Sequence, residues 1–478
     1  MNALLVVLSL MLCGAVALFV EGGAAAMLFC VCLALLVVRL GGLVVEDQRR
    51  FLIQIFAAGL LVRVLIGTII YGFKLQEFFG GDAYTYDAMG RQFLSIWQSR
   101  EGNDALMRAW RESGTGWGMG YLVAYIYYLF GANMLAVQMF NAVVGAATAP
   151  VIFLCARHIF GNLRVARLSA FAVAFYPSLV LWSSQGLKDG PIVFLLALAM
   201  LATLKLGERM SPGYLTLLLV SLLGMLTLRF YVFYMLCSAV AGAFVIGMRK
   251  VTGQSLARQF VVVVVVGLGL TYVGVLRTAG DQFERFGNLE AVQRSRADLA
   301  TSAGSGFGKD VDVSTTRGAL TAIPIGMTYL LFAPFPWQLA SLRQLITLPE
   351  MLVWWASFPL LVMGTWFTLR HRLRQALPIL IFTAMLTLAY SVFQGNVGTA
   401  YRQRSQLLVF YFIFVSVGAV LLKERSEDRR RAQIAEAEAA AAAAARHRAG
   451  MRRYQDWKQS REPEYEEMAR SLGERVDF

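Results

Sequence analysis

The chain has 478 residues, of which 58% are hydrophobic and 15% charged, with a mean hydropathy of +0.58. Such values lie outside the range of soluble globular domains and predict an all-α polytopic membrane protein. The formal net charge of +14 argues for no nucleic-acid partner, because Lys and Arg collect in short connections between apolar segments, as the positive-inside rule requires.

In chain order, residues 1–20 match a signal peptide in length, yet no Lys or Arg precedes the apolar run and no cleavage site follows, so they read as an uncleaved first span. Apolar segments at about 4–20 and 24–42 form a hairpin, and Arg39, Arg49 and Arg50 assign the next connection to the cytoplasm. A span at about 51–73 then exits to a long outer loop of about 74–118. Its Arg91, Arg100, Glu101, Asp104, Arg108, Arg111 and Glu112 have the spacing of amphipathic helices lying along the membrane.

Tyr121 to Phe130 is too short to cross comfortably and reads as re-entrant or interfacial. The span at about 133–156 leads to Arg157, His158, Arg164 and Arg167, a cytoplasmic connection. Spans at about 168–184, 190–205, 213–228, 231–248 and 259–276 then alternate, the last opening on a second long outer loop of about 277–318. Residues 319–345 carry Pro324, Pro334 and Pro336 and read as broken and partly interfacial.

Spans at about 350–369, 376–393 and 405–422 bring the total to about 12, with both termini in the cytoplasm of a plasma (inner) membrane. The expected organisation is a transmembrane catalytic domain, 1–423, and a cytoplasmic tail, 424–478. Within the tail, Ala432 to Ala445 is helical on propensity alone. The five cysteines, Cys13, Cys30, Cys32, Cys155 and Cys237, all fall inside spans and read as small buried hydrophobes.

This topology, drawn from basic residues alone, puts Asp82, Asp87, Lys188, Asp189, Arg229, Arg402 and Arg404 at the outer ends of spans, at headgroup depth. Carboxylates beside Arg and Lys suit a reaction on an anionic lipid, in which the cations hold a phosphate and a carboxylate takes a proton. His158, His371 and His447 all fall on the other side, so a Ser-His-Asp arrangement or a His-ligated zinc is not expected at this face. Plainer roles stand beside these. Asp82, after Gly80 and Gly81, is placed to cap a helix from Tyr84, and Asp87 to pair with Arg91 four residues on. Asp189 before Gly190-Pro191 can serve as an N-cap, and Arg229 as an interfacial anchor. Arg402 and Arg404 run against the positive-inside bias and are the stronger cationic candidates.

An apolar span followed by Gly81-Asp82 with Tyr86 and Ala88, then Tyr128-Leu-Phe-Gly131, Arg157-His-Ile-Phe-Gly161, Tyr176-Pro177 and Lys188-Asp189, resembles the glycosyltransferase C superfamily over roughly residues 50–210. It resembles especially the bacterial branch related to protein mannosyltransferases and lipid A aminoarabinose transferases. The resemblance implies that Asp82 activates the acceptor or binds substrate, that outer Arg and Lys hold a lipid phosphate, and that transfer proceeds by direct displacement with inversion. Ala83 stands where a second acid would support a divalent metal, so no cofactor is assigned. Gly114 to Gly120 replaces a His-Pro-Pro type of motif, and two additional spans precede the usual first one.

The function expected is therefore transfer of a sugar from a polyprenyl phosphate to a glycan, lipid or protein acceptor on the extracytoplasmic face. Asp82 and Asp87 are the catalytic candidates; Lys188, Asp189, Arg229, Arg402, Arg404 and Tyr86 are candidates for binding the substrate and its phosphate. A polysaccharide polymerase or ligase using polyprenyl-diphosphate glycans is the alternative, resting more on Arg402, Arg404 and the loop from Arg277 to Arg317. A transporter or flippase would instead show charges near the bilayer midplane and an internal repeat.

Overall fold

The computed structural model describes residues 3–42, 47–79, 81–98, 117–246, 261, 264–270, 288–301, 305–339, 341–471 and 473. Among them every extended element is a helix, and the one β feature is an isolated bridge between Gly306 and Asn396. Gly80, Gly114 to Gly116, the charged residues from Arg100 to Glu112 and most of the expected span at 259–276 lie outside the described residues.

Two compact units divide the chain, Met1–Gly418 and Ala419–Phe478. The first opens with α1 (Ala3–Phe19), α2 (Gly23–Gly42) and α3 (Arg49–Gly72), followed by α4 (Asp82–Gln98), which is less apolar, and the 14-residue α5 (Trp117–Phe130). Next come α6 (Met134–Phe160), α7 (Leu163–Phe175), α8 (Pro177–Ser183), α9 (Asp189–Glu208), α10 (Pro212–Leu228) and α11 (Phe230–Ile246). The outer-loop helix α12 (Leu289–Thr301) precedes α13 (Thr316–Phe332), α14 (Leu342–His371), α15 (Leu373–Phe393), the short α16 (Val397–Gln403) and α17 (Ser405–Ser471).

Seven of these helices are long and apolar enough to cross a bilayer; α7 and α8, bent by 53° at their junction, form a possible eighth span, and α1, α10 and α11 are shorter apolar helices. The protein is thus a multi-pass membrane protein; its helices fall in the expected order, and by length and composition the described residues supply seven or eight of the about 12 spans expected. Residues 121–130 do form a short helix, and 319–345 do break, at Ala333 and again at a 3-10 turn over Pro336–Gln338.

The centre of the bundle is α6, which packs against α2, α3, α7 and α9. Ala136, Ala142, Ala146, Ala149 and Ala156 on α6 are fully buried, and small side chains let neighbouring helices approach closely where lipid provides no hydrophobic drive. Asn133 and Asn162 cap the next helices with side-chain oxygens, while Gly161 ends α6 in the left-handed conformation. The glycine-rich stretch before Tyr121 has a packing explanation. A Cβ at Gly120 would come within 2.4 Å of Met89 Sδ and 2.9 Å of the Phe93 ring, so glycine there lets α5 lie against α4 without displacing those side chains.

The bend between α7 and α8 arises at Pro177, which has no amide proton to continue the ladder. Arg63, buried inside span α3, supplies the missing donors. Its Nη1 donates to Ala174 O (2.7 Å) and Gly59 O (3.0 Å), its Nη2 to Val173 O (3.3 Å), and its Nε to Ser183 Oγ (2.8 Å). A charge inside a span is a feature the transporter reading requires, but this one is spent on fixed backbone carbonyls and one hydroxyl.

In the second unit, residues 432–445 are helical and exposed, as alanine propensity dictates.

Candidate active site

Asp82 does not cap a helix that starts at Tyr84; it is itself the first residue of α4. Gly81, at φ +74°, makes the turn that a residue with a Cβ would resist, and Tyr84 N donates to Gly81 O at 3.0 Å. The Asp82 side chain is half-exposed, at 50%. Asp189 likewise opens α9, with Lys188 immediately before it. The turn that presents them is fixed by Asn141, whose Nδ2 donates to Gln185 O (2.5 Å) and Leu187 O (2.7 Å). Both carboxylates therefore occupy first turns, where helix dipoles favour negative charge.

Arg402 joins them. Its Nε donates to Asp189 Oδ2 at 2.7 Å with Nη2 ion-paired to the same oxygen at 2.6 Å, and its Nη1 donates to Asp82 Oδ2. Asp189 is 1% exposed, and Arg229 approaches its other oxygen at 4.0 Å. Arg229, at the break between α10 and α11, also donates to the Tyr390 hydroxyl at 3.4 Å and lies over the Tyr231 ring. Tyr390 in turn donates to Gln406 Oε1 at 2.9 Å. Lys188 Nζ is 5.9 Å from the ring centre of buried Tyr86, and the Arg402 guanidinium lies 5.8 Å from that of Trp182.

Three cations, Lys188, Arg229 and Arg402, face two carboxylates, leaving a net charge of +1 before any substrate arrives. Burial lowers the Lys188 pKa to about 8, and the Arg229 charge beside it acts in the same direction. For Arg402 burial also works against the charge, but Asp189 and Asp82 outweigh it and its pKa is raised. The Tyr86 hydroxyl is pushed up, first by burial and then by the Asp189 carboxylate.

Asp87 is held elsewhere. It accepts from Arg91 Nε at 2.9 Å, the i,i+4 pair expected, and also from the Tyr127 hydroxyl. Arg404 turns away from the cluster and is 1% exposed. Its guanidinium donates to Leu330 O (2.6 Å) and Ala333 O, closing the frayed end of α13, and stacks on Tyr401.

The helix that carries Arg402 is braced on two sides. Asn396 Oδ1 accepts from Gly398 N (2.8 Å) and Thr399 N (3.3 Å). On the outer-loop side, Phe307 N donates to Gly395 O (2.8 Å), Val397 N to Ser305 O (3.0 Å), and Arg296 Nη1 to Val392 O (3.0 Å) and Gln394 O (2.6 Å). On the span side, the Tyr401 hydroxyl donates to Glu350 Oε2 at 2.7 Å. Glu350 and Arg63 are buried polar residues that reasoning from loops overlooks. Glu350 is the one acid in the apolar run Leu342–His371, and that isolation is the signal for it.

Among the described residues no group of three or more His, Cys, Asp and Glu could hold a metal ion. The Arg402 guanidinium occupies the space between the two carboxylates that a divalent cation would need.

Residues 116–274 match the family described as dolichyl-phosphate-mannose-protein mannosyltransferase. No curated protein matches the chain. Among solved structures, ArnT from Cupriavidus metallidurans bound to undecaprenyl phosphate is 16% identical and superposes with a TM-score of 0.40, over 63% of this chain and 49% of that one. The Archaeoglobus fulgidus oligosaccharyltransferase in complex with Zn and sulfate is 14% identical with a TM-score of 0.40, over 66% and 42%. The archaeal oligosaccharyltransferase AglB from the same organism, in complex with an inhibitory peptide and a dolichol-phosphate, gives 13% and 0.38, over 67% and 44%. The chain thus spans less than half the length of each of these three solved proteins.

Proposed function

We propose that the chain, whose residues 116–274 match the dolichyl-phosphate-mannose-protein mannosyltransferase family, is a glycosyltransferase of the C superfamily that transfers a sugar from a polyprenyl phosphate to a glycan, lipid or protein acceptor. The observation that carries this reading is the cluster in which Arg402 ties Asp82 to Asp189 with Lys188 and Arg229 alongside. The family's description names a dolichyl-phosphate-linked sugar, which supports a lipid-phosphate donor.

In this mechanism Arg402, Lys188 and Arg229 hold the donor phosphate, and Asp189 fixes the plane of the Arg402 guanidinium. Asp82, the more accessible carboxylate, takes the proton of the acceptor hydroxyl as its oxygen attacks the anomeric carbon. The carbon–oxygen bond to phosphate breaks on the opposite side, giving inversion, and polyprenyl phosphate leaves with the bonding pair. The cations meet the charge that develops on the leaving phosphate. Phosphate binding to Arg402 competes with its bond to Asp82, so donor binding frees the base. Tyr86 lines the site beside Lys188, and Asp87 supports α4 through Arg91 and Tyr127.

The positive-inside pattern supports a site at the extracytoplasmic face of the plasma (inner) membrane, with both termini in the cytoplasm and a catalytic domain over 1–423 ahead of the tail, 424–478. The bracing of the Arg402 turn by residues 305–307 is the observation that favours the second reading, a polymerase or ligase acting on polyprenyl-diphosphate glycans. Membranes carrying Asp82→Asn or Arg402→Ala, supplied with a labelled polyprenyl-phosphate sugar, test the proposal. Loss of transfer in both, with donor binding kept in Asp82→Asn, is the expected result. Unchanged transfer in both would end the transferase reading.

A further inference from the structure

The other end of the bundle holds a cavity lined by basic residues. Helix α9 runs from Asp189 to Glu208, and 20 residues at 1.5 Å each separate its ends by roughly 28 Å, about the thickness of a hydrocarbon core. Around Glu208 lies a cavity of about 530 Å³, within the size range of ligand pockets. Its polar lining comes from His158 on α6, Glu208 on α9, and Arg370, His371, Arg372 and Arg374 at the turn between α14 and α15. Leu204 and Phe244 give it apolar walls.

The charge balance is one-sided. Glu208 stands 3.5 Å from His158. Among the described residues none of the three arginines is ion-paired with a carboxylate: Arg370 lies over the Trp366 ring at 4.5 Å, and Arg372 donates to Gln375 Oε1 at 3.3 Å. Helix α15 starts beside them with no side chain capping its first amides, which adds to the positive potential. Orientation by the positive-inside rule requires basic residues at this end; it does not require them to line a cavity that α6, α9, α11, α14 and α15 enclose with both polar and apolar walls.

We propose that this cavity binds a phosphate-bearing anion, the headgroup of an anionic lipid in the leaflet opposite the Asp82 site, with an acyl chain along its apolar walls. The full chain in nanodiscs of phosphatidylethanolamine with a minority of phosphatidylglycerol tests this through the anionic lipid retained on extraction and quantified by native mass spectrometry. Wild type should retain phosphatidylglycerol, and the triple variant Arg370→Gln/Arg372→Gln/Arg374→Gln should retain at least about tenfold less. Glu208→Gln, which removes the one acid, should retain more than wild type, a gain that misfolding cannot produce. Displacement by millimolar inorganic phosphate would assign the site to free phosphate rather than to a lipid and overturn the lipid assignment. Equal retention by wild type and both variants would overturn the site itself.

Discussion

Arg402 Nη2 stands 2.6 Å from Asp189 Oδ2, joining two residues 213 positions apart in the sequence. The carboxylate is almost wholly buried, and the arginine that neutralises it also reaches the exposed Asp82. Stability and chemistry are therefore coupled through one guanidinium.

Arg402→Ala leaves the Asp189 charge buried with only the more distant Arg229 and Lys188 to offset it. The expected cost is about 3 kcal/mol of stability together with loss of transfer. Arg402→Lys keeps the charge but not the two-pronged contact, so it should recover most of the stability and little of the activity. Thermal unfolding in detergent, followed beside transfer assays, separates the two effects.

Asp82→Asn should leave the unfolding temperature unchanged, because the side chain is half-exposed, and lower the transfer rate by about 100-fold or more. Asp87→Asn should do the reverse, since that carboxylate serves Arg91 and Tyr127. A turnover series with both variants at saturating donor measures the contrast.

Lys188 supplies a pH dependence. In the folded protein it loses its proton near pH 8; in the unfolded chain it does so only at its higher ordinary value. As pH rises through about 8 the site loses a positive charge, so KM for the phosphate donor should rise. Lys188→Arg, charged throughout, should abolish that rise. Above about pH 8, and up to the ordinary value, the unfolded state holds more protons than the folded one. This lysine's contribution to stability therefore increases with pH in that window. KM against pH for both forms checks the first statement, and chemical denaturation at pH 7 and 9.5 the second.

Arg63→Met removes every donor from the bend between α7 and α8, stranding the Val173 and Ala174 carbonyls away from water. A loss of about 3 kcal/mol is expected. Tryptic cleavage rates of the variant in micelles, compared with wild type, measure it.

Tyr401→Phe takes the donor from Glu350 Oε2 and loosens the helix that carries Arg402. Transfer should fall about tenfold through a higher donor KM, with little change in turnover at saturation. In a double-mutant cycle with Arg402→Lys the two losses should fail to add. Additive losses would show that Glu350 and Tyr401 act on stability alone.

Much of this protein was written in composition and in the placement of basic residues. Long apolar runs can satisfy their backbone in lipid only as helices, so the order of the helices from Ala3 to Ile246 and from Leu342 to Phe393 was readable directly, as was the short helix before Asn133. Charge bias between connections grouped Asp82, Lys188, Asp189, Arg229 and Arg402 at one end. It could not separate Arg402, whose guanidinium meets two carboxylates, from Arg404 two residues later, which is spent on carbonyls of another helix. Nor could it mark Arg63 or Glu350, whose partners come from helices far away in the sequence. Which element spans a membrane depends on local hydropathy, a property each segment holds by itself. Which side chain faces which is decided by helix rotation and packing, and these exist only once the whole bundle has closed.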